Sequence, residues 1–319
     1  MTRHIDEISR HQRGILTRAQ ALASGMSPDH LRRLYTSGGW QRLHRGVYAT
    51  FSGPVARPAL RWAAVLAAGR GAMLSHRSAA EEAGLADDTP GPIHVLIPDE
   101  RRVRPSAGLV VHRAKGTATR LDPVRLPPQT RVEDTVLDMA SAARSEEEAM
   151  AWIAAACGRR LTTPARIAKA LSDRPRLLRR RDLTVLLGEA GAGVGSVLEW
   201  RYLRDVERAH ALPPGARQQR RPRPGGSWYD DVHYLEHGVR VELDGLAAHP
   251  PEGRRRNFRR DHAGVRSGER VLRYGSLDIG EDPCGVAAQV AGVLRSRGWR
   301  GVPRQCGAAC RLDLHEAAA

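Results

Sequence analysis

The chain has 319 residues, and 51 basic against 35 acidic side chains give it a formal net charge of +16. This length exceeds what one hydrophobic core usually serves, so two or three domains are expected. A run of about 18 apolar residues, which a membrane-spanning helix needs, is absent. The first twenty residues are polar and charged, unlike a secretory signal. We therefore expect a cytoplasmic protein without a membrane span.

The basic balance of the chain favours a polyanionic partner such as DNA, because phosphate contacts supply most non-specific affinity for nucleic acids. Almost all of the basic residues are arginine, and Lys115 and Lys169 are the two lysines. An arginine-rich composition is also typical of GC-rich genomes. Charge therefore favours nucleic acid over a membrane surface, but it does not locate a site.

Two short helices joined by a glycine turn are predicted near the N-terminus. Thr17 is a suitable cap for a helix over Arg18–Ser24, which Gly25 ends. Ser27-Pro28-Asp29 then opens a second helix that runs to about Ser37, with a cap residue, a proline and an acid in the favoured order. On this second helix, Leu31 and Leu34 should face inward. His30, Arg32, Arg33 and Tyr35 should remain available at the surface.

The alternating segment Trp40–Tyr48, with a turn at Gly46, predicts a β-wing. Helix, turn, helix and wing make a winged helix-turn-helix, whose second helix can enter the major groove. Its candidate DNA-binding residues are Arg32 and Arg33 for the groove and Arg42, His44 and Arg45 for phosphates. A helix-turn-helix used only for protein contact is the alternative.

The run G-W-x-R-L-x-R-G-V-Y-A from Gly39 to Ala49 resembles the N-terminal domain of antitoxins from abortive-infection type IV toxin–antitoxin systems. The resemblance covers about Ile5 to Ala49. It implies a domain that binds DNA and represses its own operon. A cognate toxin is the partner that the resemblance suggests.

An α+β middle domain is predicted to follow. Its expected helices and strands lie over Ala59–Ala68, Ser75–Gly84, Ile93–Pro98, Gly108–Arg113 and Thr130–Ala140. These segments resemble the C-terminal part of the same antitoxin family, to about Ala156. We expect Thr130 or a residue near it to cap the last of these helices.

The middle domain contains five further polar residues to which we assign no chemical role. His76, His94 and His112 could suggest a metal, yet their spacing fits no ligand pattern, so we expect packed or strand-edge histidines. Asp134 and Asp138 lie one helical turn apart, where surface acids routinely occur.

A β-hairpin is predicted within Tyr229–Gly245, where apolar and polar residues alternate with the period of a half-buried strand. If residues 235 to 238 form the turn, two apolar pairs face each other across the strands. The pairs are Val232 with Val241 and Tyr234 with Val239. One face of the hairpin is therefore expected to be apolar.

The opposite face of the hairpin should bring Asp231 beside Glu242, with Asp244 one step further along. Converging carboxylates repel one another unless a cation lies among them, and oxygen ligands suit a hard divalent ion such as Mg²⁺. The alternative is a solvent-facing polar edge.

The order of elements around this hairpin resembles the PD-(D/E)XK nuclease superfamily, and more narrowly the domain similar to very-short-patch-repair endonucleases. A helix with Glu199 precedes the hairpin, and His249, the basic stretch Arg254–Asp261 and the strand-like segment Gly268–Tyr274 follow it. The resemblance covers roughly Val194 to Trp299. It implies a restriction-endonuclease-like α/β/α domain.

Carried over from that superfamily, Asp231, Glu242 and Glu199 match the acids that hold Mg²⁺ or Mn²⁺ and activate water for attack on a phosphodiester. Asp244, included among the candidate catalytic residues, stands where the superfamily has a lysine. His249, or an arginine of the basic stretch, would then have to supply the positive charge.

Glu199 also has a structural explanation, because Ser196 and Glu199 have the spacing of a capping box. Two functions stay open at this point. One is a DNA-binding, Mg²⁺- or Mn²⁺-dependent endonuclease, and the other is a non-catalytic DNA-binding regulator or type IV antitoxin with a degenerate nuclease fold.

The four cysteines are irregularly spaced, so no disulfide framework is expected. Cys284, Cys306 and Cys310 could bind zinc together with His315, although the spacing does not match a standard knuckle. The resulting prediction is an α/β multi-domain protein with four segments: a winged helix-turn-helix at 1–52, the α+β middle domain at 53–190, the nuclease-like domain at 191–302 and a tail at 303–319.

Overall fold

A computed structural model describes residues 2–223, 226–244 and 268–312 of the chain. The chain divides into two compact units, Met1–Thr184 and Val185–Ala319. The predicted winged helix and most of the predicted middle domain thus lie in one unit. Within the described residues, each helix is too short or too polar to cross a bilayer.

The N-terminal part of the first unit is a winged helix-turn-helix. Its elements are α1 (Thr2–His11), β1 (Ile15–Thr17), α2 (Arg18–Ala23), α3 (Pro28–Thr36), β2 (Gln41–His44) and β3 (Val47–Ala49). The three strands form an antiparallel sheet in the order β1-β3-β2. The two predicted helices and the wing are confirmed, whereas α1 and β1 were not predicted.

The predicted caps explain where α2 and α3 begin. Thr17 and Gln20 form a capping box, with Gln20 N donating to Thr17 Oγ1 at 3.1 Å and Thr17 N donating to Gln20 Oε1 at 2.9 Å. Ser27 Oγ accepts from His30 N at 3.1 Å, and Pro28 occupies the first helical position. Local chemistry alone therefore sets both helix starts.

The small core under α3 differs from the prediction at one residue. Leu31 is buried as expected, and it clusters with Ala21 and Tyr48. Tyr35 was predicted to remain available, but its ring stacks on Tyr48 with centroids 5.5 Å apart. The prediction was wrong because a large aromatic ring on α3 can reach the wing strand behind the helix.

The rest of the first unit is α+β. It contains α4 (Arg57–Ala68), β4 (Met73–Leu74), α5 (His76–Glu82), β5 (Ile93–Pro98), β6 (Leu109–Ala114), α6 (Val132–Ala142), α7 (Glu146–Gly158), α8 (Pro164–Ser172) and the first residues of α9 (Arg180–Gly191), together with a 3₁₀ turn at Thr117–Arg120. A second sheet has the order β4-β5-β6, with β5 and β6 parallel.

Helix α4 joins the two parts of this unit. Ala59, Trp62 and Ala63 share a core with the wing sheet, whereas Ala64 and Val65 share another core with β5. One helix therefore buries different faces against two sheets. The predicted boundary between residues 52 and 53 therefore lies within one compact unit.

Helix α6 begins at Val132 with Arg131 at the N-cap position, the residue next to Thr130, and it corrects one sequence expectation. Asp134 and Asp138, expected at the surface, are 6% and 5% exposed. Arg174 compensates both, lying 2.5 Å from Asp138 Oδ1 and 3.7 Å from Asp134 Oδ1. The sequence did not predict the burial of these two acids, because their partner Arg174 is distant along the chain.

The second unit is built on a four-stranded sheet. Its strands are β7 (Ala216–Arg223), β8 (Gly226–Tyr234), β9 (Val239–Asp244) and β10 (Arg270–Gly275), and its helices are the end of α9, α10 (Val197–Arg201, continued as a π-helix over Tyr202–Arg208), α11 (Ser276–Glu281) and α12 (Pro283–Ser296). The order is β10-β9-β8-β7, antiparallel except for the parallel pair β9 and β10.

The predicted hairpin register is confirmed at both apolar pairs. Val232 lies opposite Val241 and Tyr234 lies opposite Val239. A 3₁₀ turn over Leu235–His237 joins the strands. The apolar face packs against α10, its π-helical continuation and α12 in one core, which leaves the opposite face for polar side chains.

Residues 303 to 312, the described part of the predicted C-terminal tail, pack against the rest of the second unit. Arg304 N donates to His210 O at 2.9 Å, and Leu312 is 4% exposed within the core of the second unit. The end of the described chain is therefore part of this unit.

Candidate functional site

The surface of the winged helix carries the arginines that the sequence singled out. Arg32 and Arg33 lie on α3 and are exposed, and Arg42 and Arg45 are exposed on β2 and the wing turn. Exposed guanidinium groups on the second helix and on the wing are the side chains that groove and phosphate contacts require. These four residues are called the arginine surface here.

His44 differs from the other wing candidates. It is half-buried, and its Nδ1 lies 2.8 Å from Ser106 Oγ. Burial lowers the pKa of His44, which favours the neutral ring at physiological pH. A neutral imidazole that already contacts a neighbouring hydroxyl is a poor phosphate ligand, so the cations of the wing are its arginines.

On the polar face of the second sheet, the geometry around Asp231 and Glu242 follows the hairpin register. The register of β8 and β9 ends at the pair of Val232 and Val241, and Asp231 and Glu242 are the next residues of the two strands. Glu242 is 3% exposed, and Asp231 is half-buried. Asp231 Oδ2 accepts from Leu243 N at 2.8 Å, so the backbone of β9 already engages this carboxylate.

A largely buried ion network adjoins these acids, and no sequence pattern predicted it. Arg240 Nη1 lies 3.0 Å from Asp230 Oδ1 and 3.6 Å from Glu242 Oε1. Arg221 Nε contacts the other Asp230 oxygen at 2.5 Å. Both arginines also contact Glu269, at 3.1 and 2.6 Å.

The pKa of Glu269 reflects its contacts with the arginines of this network. Burial alone would raise the pKa of Glu269, but the hydrogen bond and charge of Arg221, together with the charge of Arg240, lower it overall. The cation that the converging acids were expected to need is therefore supplied in part by the protein. The period-two pattern did not predict this ion network, because it assigns Asp230 to the same face as the core residue Val232.

Asp244 is also paired within the sheet. Arg273 Nη1, on the neighbouring parallel strand, lies 3.2 Å from Asp244 Oδ2. An arginine on β10 thus places a positive charge beside Asp244. His249 and the basic stretch 254–261, the other predicted sources of positive charge, lie outside the described residues.

Glu199 is engaged at the start of its own helix. Its backbone N donates to Ser196 Oγ at 3.1 Å, and its Oε2 accepts from Gly195 N at 2.9 Å. The predicted capping box involved the Ser196 amide, whereas the carboxylate reaches one residue further back. Gln218 Nε2 also donates to Oε2, at 3.3 Å.

Gln218 links the helix acid to the sheet. The register on both sides, Arg217 with Val232 and Gln219 with Asp230, places Gln218 opposite Asp231. Its φ of 49° lies in the left-handed region that non-glycine residues rarely adopt. This strained residue therefore contacts Glu199 and lies opposite Asp231 in the register, at a position where the strand pairing is interrupted.

Within the described ranges, two groups of three or more potential metal ligands have their ligand atoms within 4.8 Å of one another. One contains His76, His94 and His112, and the other contains His210 and three cysteines. The three acids Glu199, Asp231 and Glu242 do not form such a group among these residues.

The histidine group comes from three elements of the first unit. His94 Nδ1 lies 3.0 Å from His112 Nε2, and the rings of His76 and His112 stack with centroids 3.7 Å apart. Burial, followed by the neighbouring histidines, lowers the pKa of His112 to about 4. The residues are packed, as expected, but their convergence was not foreseen, because spacing along the chain does not report contacts between α5, β5 and β6.

Comparisons with known proteins bear mainly on the N-terminal segment. Residues 4–50 match the model of a family described as a transcriptional regulator, AbiEi antitoxin. This match supports the antitoxin resemblance of the winged helix. No curated protein matches the chain.

Among solved structures, the chain is similar to the crystal structure of the RV2827C protein from Mycobacterium tuberculosis. The identity is 20%, the TM-score is 0.41, and the alignment covers 60% of this chain and 76% of that chain. A likeness of this extent identifies neither a function nor a partner.

Proposed function

We propose that this protein is a DNA-binding transcriptional regulator of the antitoxin type, which binds duplex DNA through the arginine surface. The observation that carries the proposal is the placement of exposed Arg32 and Arg33 on the second helix of a winged helix-turn-helix. The match of residues 4–50 to a transcriptional-regulator and antitoxin family supports it. A cognate toxin as protein partner belongs to the same proposal.

The DNA contacts follow from the two parts of the arginine surface. Arg32 and Arg33 project from α3 and are suited to base edges, since arginine binds guanine bidentately in the major groove. Arg42 and Arg45 on the wing are suited to phosphates, which fix the register of the protein on the duplex. The net charge of +16 adds non-specific attraction to the same polyanion.

The second unit has a proposed role as a nuclease-like scaffold without catalysis. The buried Arg240 and the partly exposed Arg221 lie beside its acids, and Glu199 is held at a helix cap. Carboxylates that are already ion-paired or hydrogen-bonded lose those partners if they turn toward a metal. This competition favours a binding role over hydrolysis.

The second candidate function is Mg²⁺- or Mn²⁺-dependent DNA hydrolysis. One observation supports it: Asp231 and Glu242 directly adjoin the paired residues Val232 and Val241 on adjacent strands. Asp231 and Glu242 would hold the ion, which would supply Lewis-acid activation of water and of the phosphate. Arg273 would contribute positive charge beside Asp244.

DNA binding is tested with the purified full chain and labelled duplexes from the region upstream of its own gene. We expect retarded complexes and repression of a reporter driven by that region. Arg32→Glu/Arg33→Glu should abolish both, whereas Arg144→Glu/Arg176→Glu, which reverses two exposed arginines outside the family match, should not. Equal behaviour of the two double variants would contradict the assignment of the surface.

Hydrolysis is tested by incubating supercoiled plasmid, duplex and single-stranded DNA with the protein and Mg²⁺ or Mn²⁺. The regulator proposal predicts intact DNA. Cleavage that Asp231→Asn and Glu242→Gln both abolish would establish the second candidate instead. Cleavage that survives both substitutions would identify a contaminating nuclease.

A further inference from the structure

Three cysteines and one histidine converge at the end of the second unit. Cys284 Sγ lies 3.8 Å from Cys306 Sγ and 3.7 Å from Cys310 Sγ, and Cys310 Sγ lies 3.6 Å from His210 Nε2. All four ligand atoms lie within 4.8 Å of one another. The cysteines are free thiols, and separations near 3.8 Å are far longer than a disulfide bond of about 2.05 Å.

These three distances match edges of a tetrahedron of the size that zinc requires. Zn–S bonds of about 2.3 Å and Zn–N bonds of about 2.0 Å at tetrahedral angles imply S···S separations of about 3.8 Å and S···N separations of about 3.5 Å. The observed values of 3.7–3.8 Å and 3.6 Å agree with both. Three thiolates and one imidazole form a closed ligand set of the structural type, with no position left for substrate.

His210 is oriented to act as a ligand. It is fully buried, and its Nδ1 lies 3.1 Å from the carbonyl oxygen of Val206, which can only accept. Nδ1 must therefore carry the proton, and the lone pair of Nε2 faces Cys310. A backbone carbonyl that fixes the tautomer in this way is the usual outer partner of a metal-bound histidine.

The ligands come from three separate parts of the second unit. His210 follows the π-helical turn, Cys284 lies in the first turn of α12, and Cys306 and Cys310 lie on the terminal segment. Leu312 N donates to Cys310 Sγ at 3.4 Å, which stabilises a thiolate there. The histidine expected from the sequence, His315, lies outside the described residues, and His210 takes its place beside the cysteines.

We propose that His210, Cys284, Cys306 and Cys310 bind one structural Zn²⁺ ion, which fixes the terminal segment to α10 and α12. Binding deprotonates the three thiols and releases their protons to solvent, while the neutral imidazole binds through Nε2. Cys306 is exposed, which gives the ion a route into the site. The ion holds the unit together and takes no part in DNA chemistry.

The test begins with the metal content of the full chain produced in zinc-supplemented medium and purified under reducing conditions. We expect about one equivalent of zinc per chain. Cys306→Ser/Cys310→Ser should lose it, whereas Cys157→Ser, which changes the cysteine of the first unit, should retain it. Zinc content that is unchanged in the double variant would overturn the proposal.

Co²⁺ added to the metal-depleted wild-type chain provides a readout that does not depend on the variants folding. We expect the visible bands of tetrahedral Co²⁺ together with a thiolate-to-metal charge-transfer band, both displaced by stoichiometric Zn²⁺. Chelation should also lower the thermal unfolding midpoint of wild type but not that of the double variant. A wild-type chain with no bound zinc and no tetrahedral Co²⁺ spectrum would refute the site.

Discussion

Arg240 and Asp230 form a buried ion pair in the second sheet, with Nη1 and Oδ1 3.0 Å apart and the two residues 1% and 0% exposed. Glu242, on the same strand as Arg240, lies close enough to share its charge. A face that the sequence presents as a cluster of acids is thus balanced internally by arginine. This balance is the physical basis for proposing that the second unit is not catalytic.

The first prediction concerns the stability that this pair controls. Asp230→Ala should destabilise the second unit by about 3–5 kcal/mol, because it leaves the buried Arg240 guanidinium without its principal partner. Urea unfolding of the full chain measures the effect. As a control, Arg208→Gln removes an exposed pair with Glu189 in the same unit and should cost less than about 1 kcal/mol. Equal costs for the two changes would show that the buried network is not important for stability.

A second prediction tests the cap at the start of α10. Ser196→Ala removes the hydroxyl that accepts from Glu199 N and should cost about 1 kcal/mol of unfolding free energy. Ser296→Ala, at the end of α12, removes an exposed hydroxyl that donates to a carbonyl and should have little effect. If Ser196→Ala is as mild as this control, the cap does not fix the helix and the position of Glu199.

The third prediction is a loss of stability of the first unit on mild acidification. The ordinary pKa of histidine is 6.5, and burial beside two other histidines lowers the pKa of His112 to about 4. Between these pH values the unfolded chain binds a proton that the folded chain refuses, so stability falls as the pH falls from about 6.5 toward 4. Burial lowers the pKa values of His76 and His94 as well, and both contribute in the same direction.

Asp134 opposes this trend over part of the range. Burial raises its pKa from 3.8 to about 6, so the folded state binds its proton first and gains stability as the pH falls through that window. Thermal unfolding midpoints between pH 4.5 and 7.5 should therefore depend less on pH in His112→Asn than in wild type. His30→Asn, which changes an exposed histidine of α3, should leave the slope unaltered. A His112→Asn slope equal to that of wild type would contradict the assignment.

Local patterns predicted the elements well where the information was local. The caps at Thr17 and Ser27, the wing and the hairpin register all depend on residues fewer than about ten positions apart, so periodicity and capping rules reach them. The resemblance at the N-terminus likewise rests on one contiguous run.

The errors arose where partners are distant in sequence. Asp138 is buried because Arg174 lies beside it, 36 positions away, and no local rule indicates that pairing. His210 lies 100 positions from Cys310, so no local pattern in the sequence links it to the cysteines. Contacts between charged groups, or between potential metal ligands, that are distant in sequence can be identified only in the folded structure.

The measurement that tests the central claim most directly is the salt dependence of DNA binding by the full chain. Each phosphate contact contributes roughly 0.9 to the slope of log K against log salt. Arg42→Gln/Arg45→Gln should therefore reduce the slope by about two units, while Arg144→Gln/Arg176→Gln should leave it unchanged. A slope that is the same in wild type and in the wing variant would show that the wing does not bind the DNA backbone.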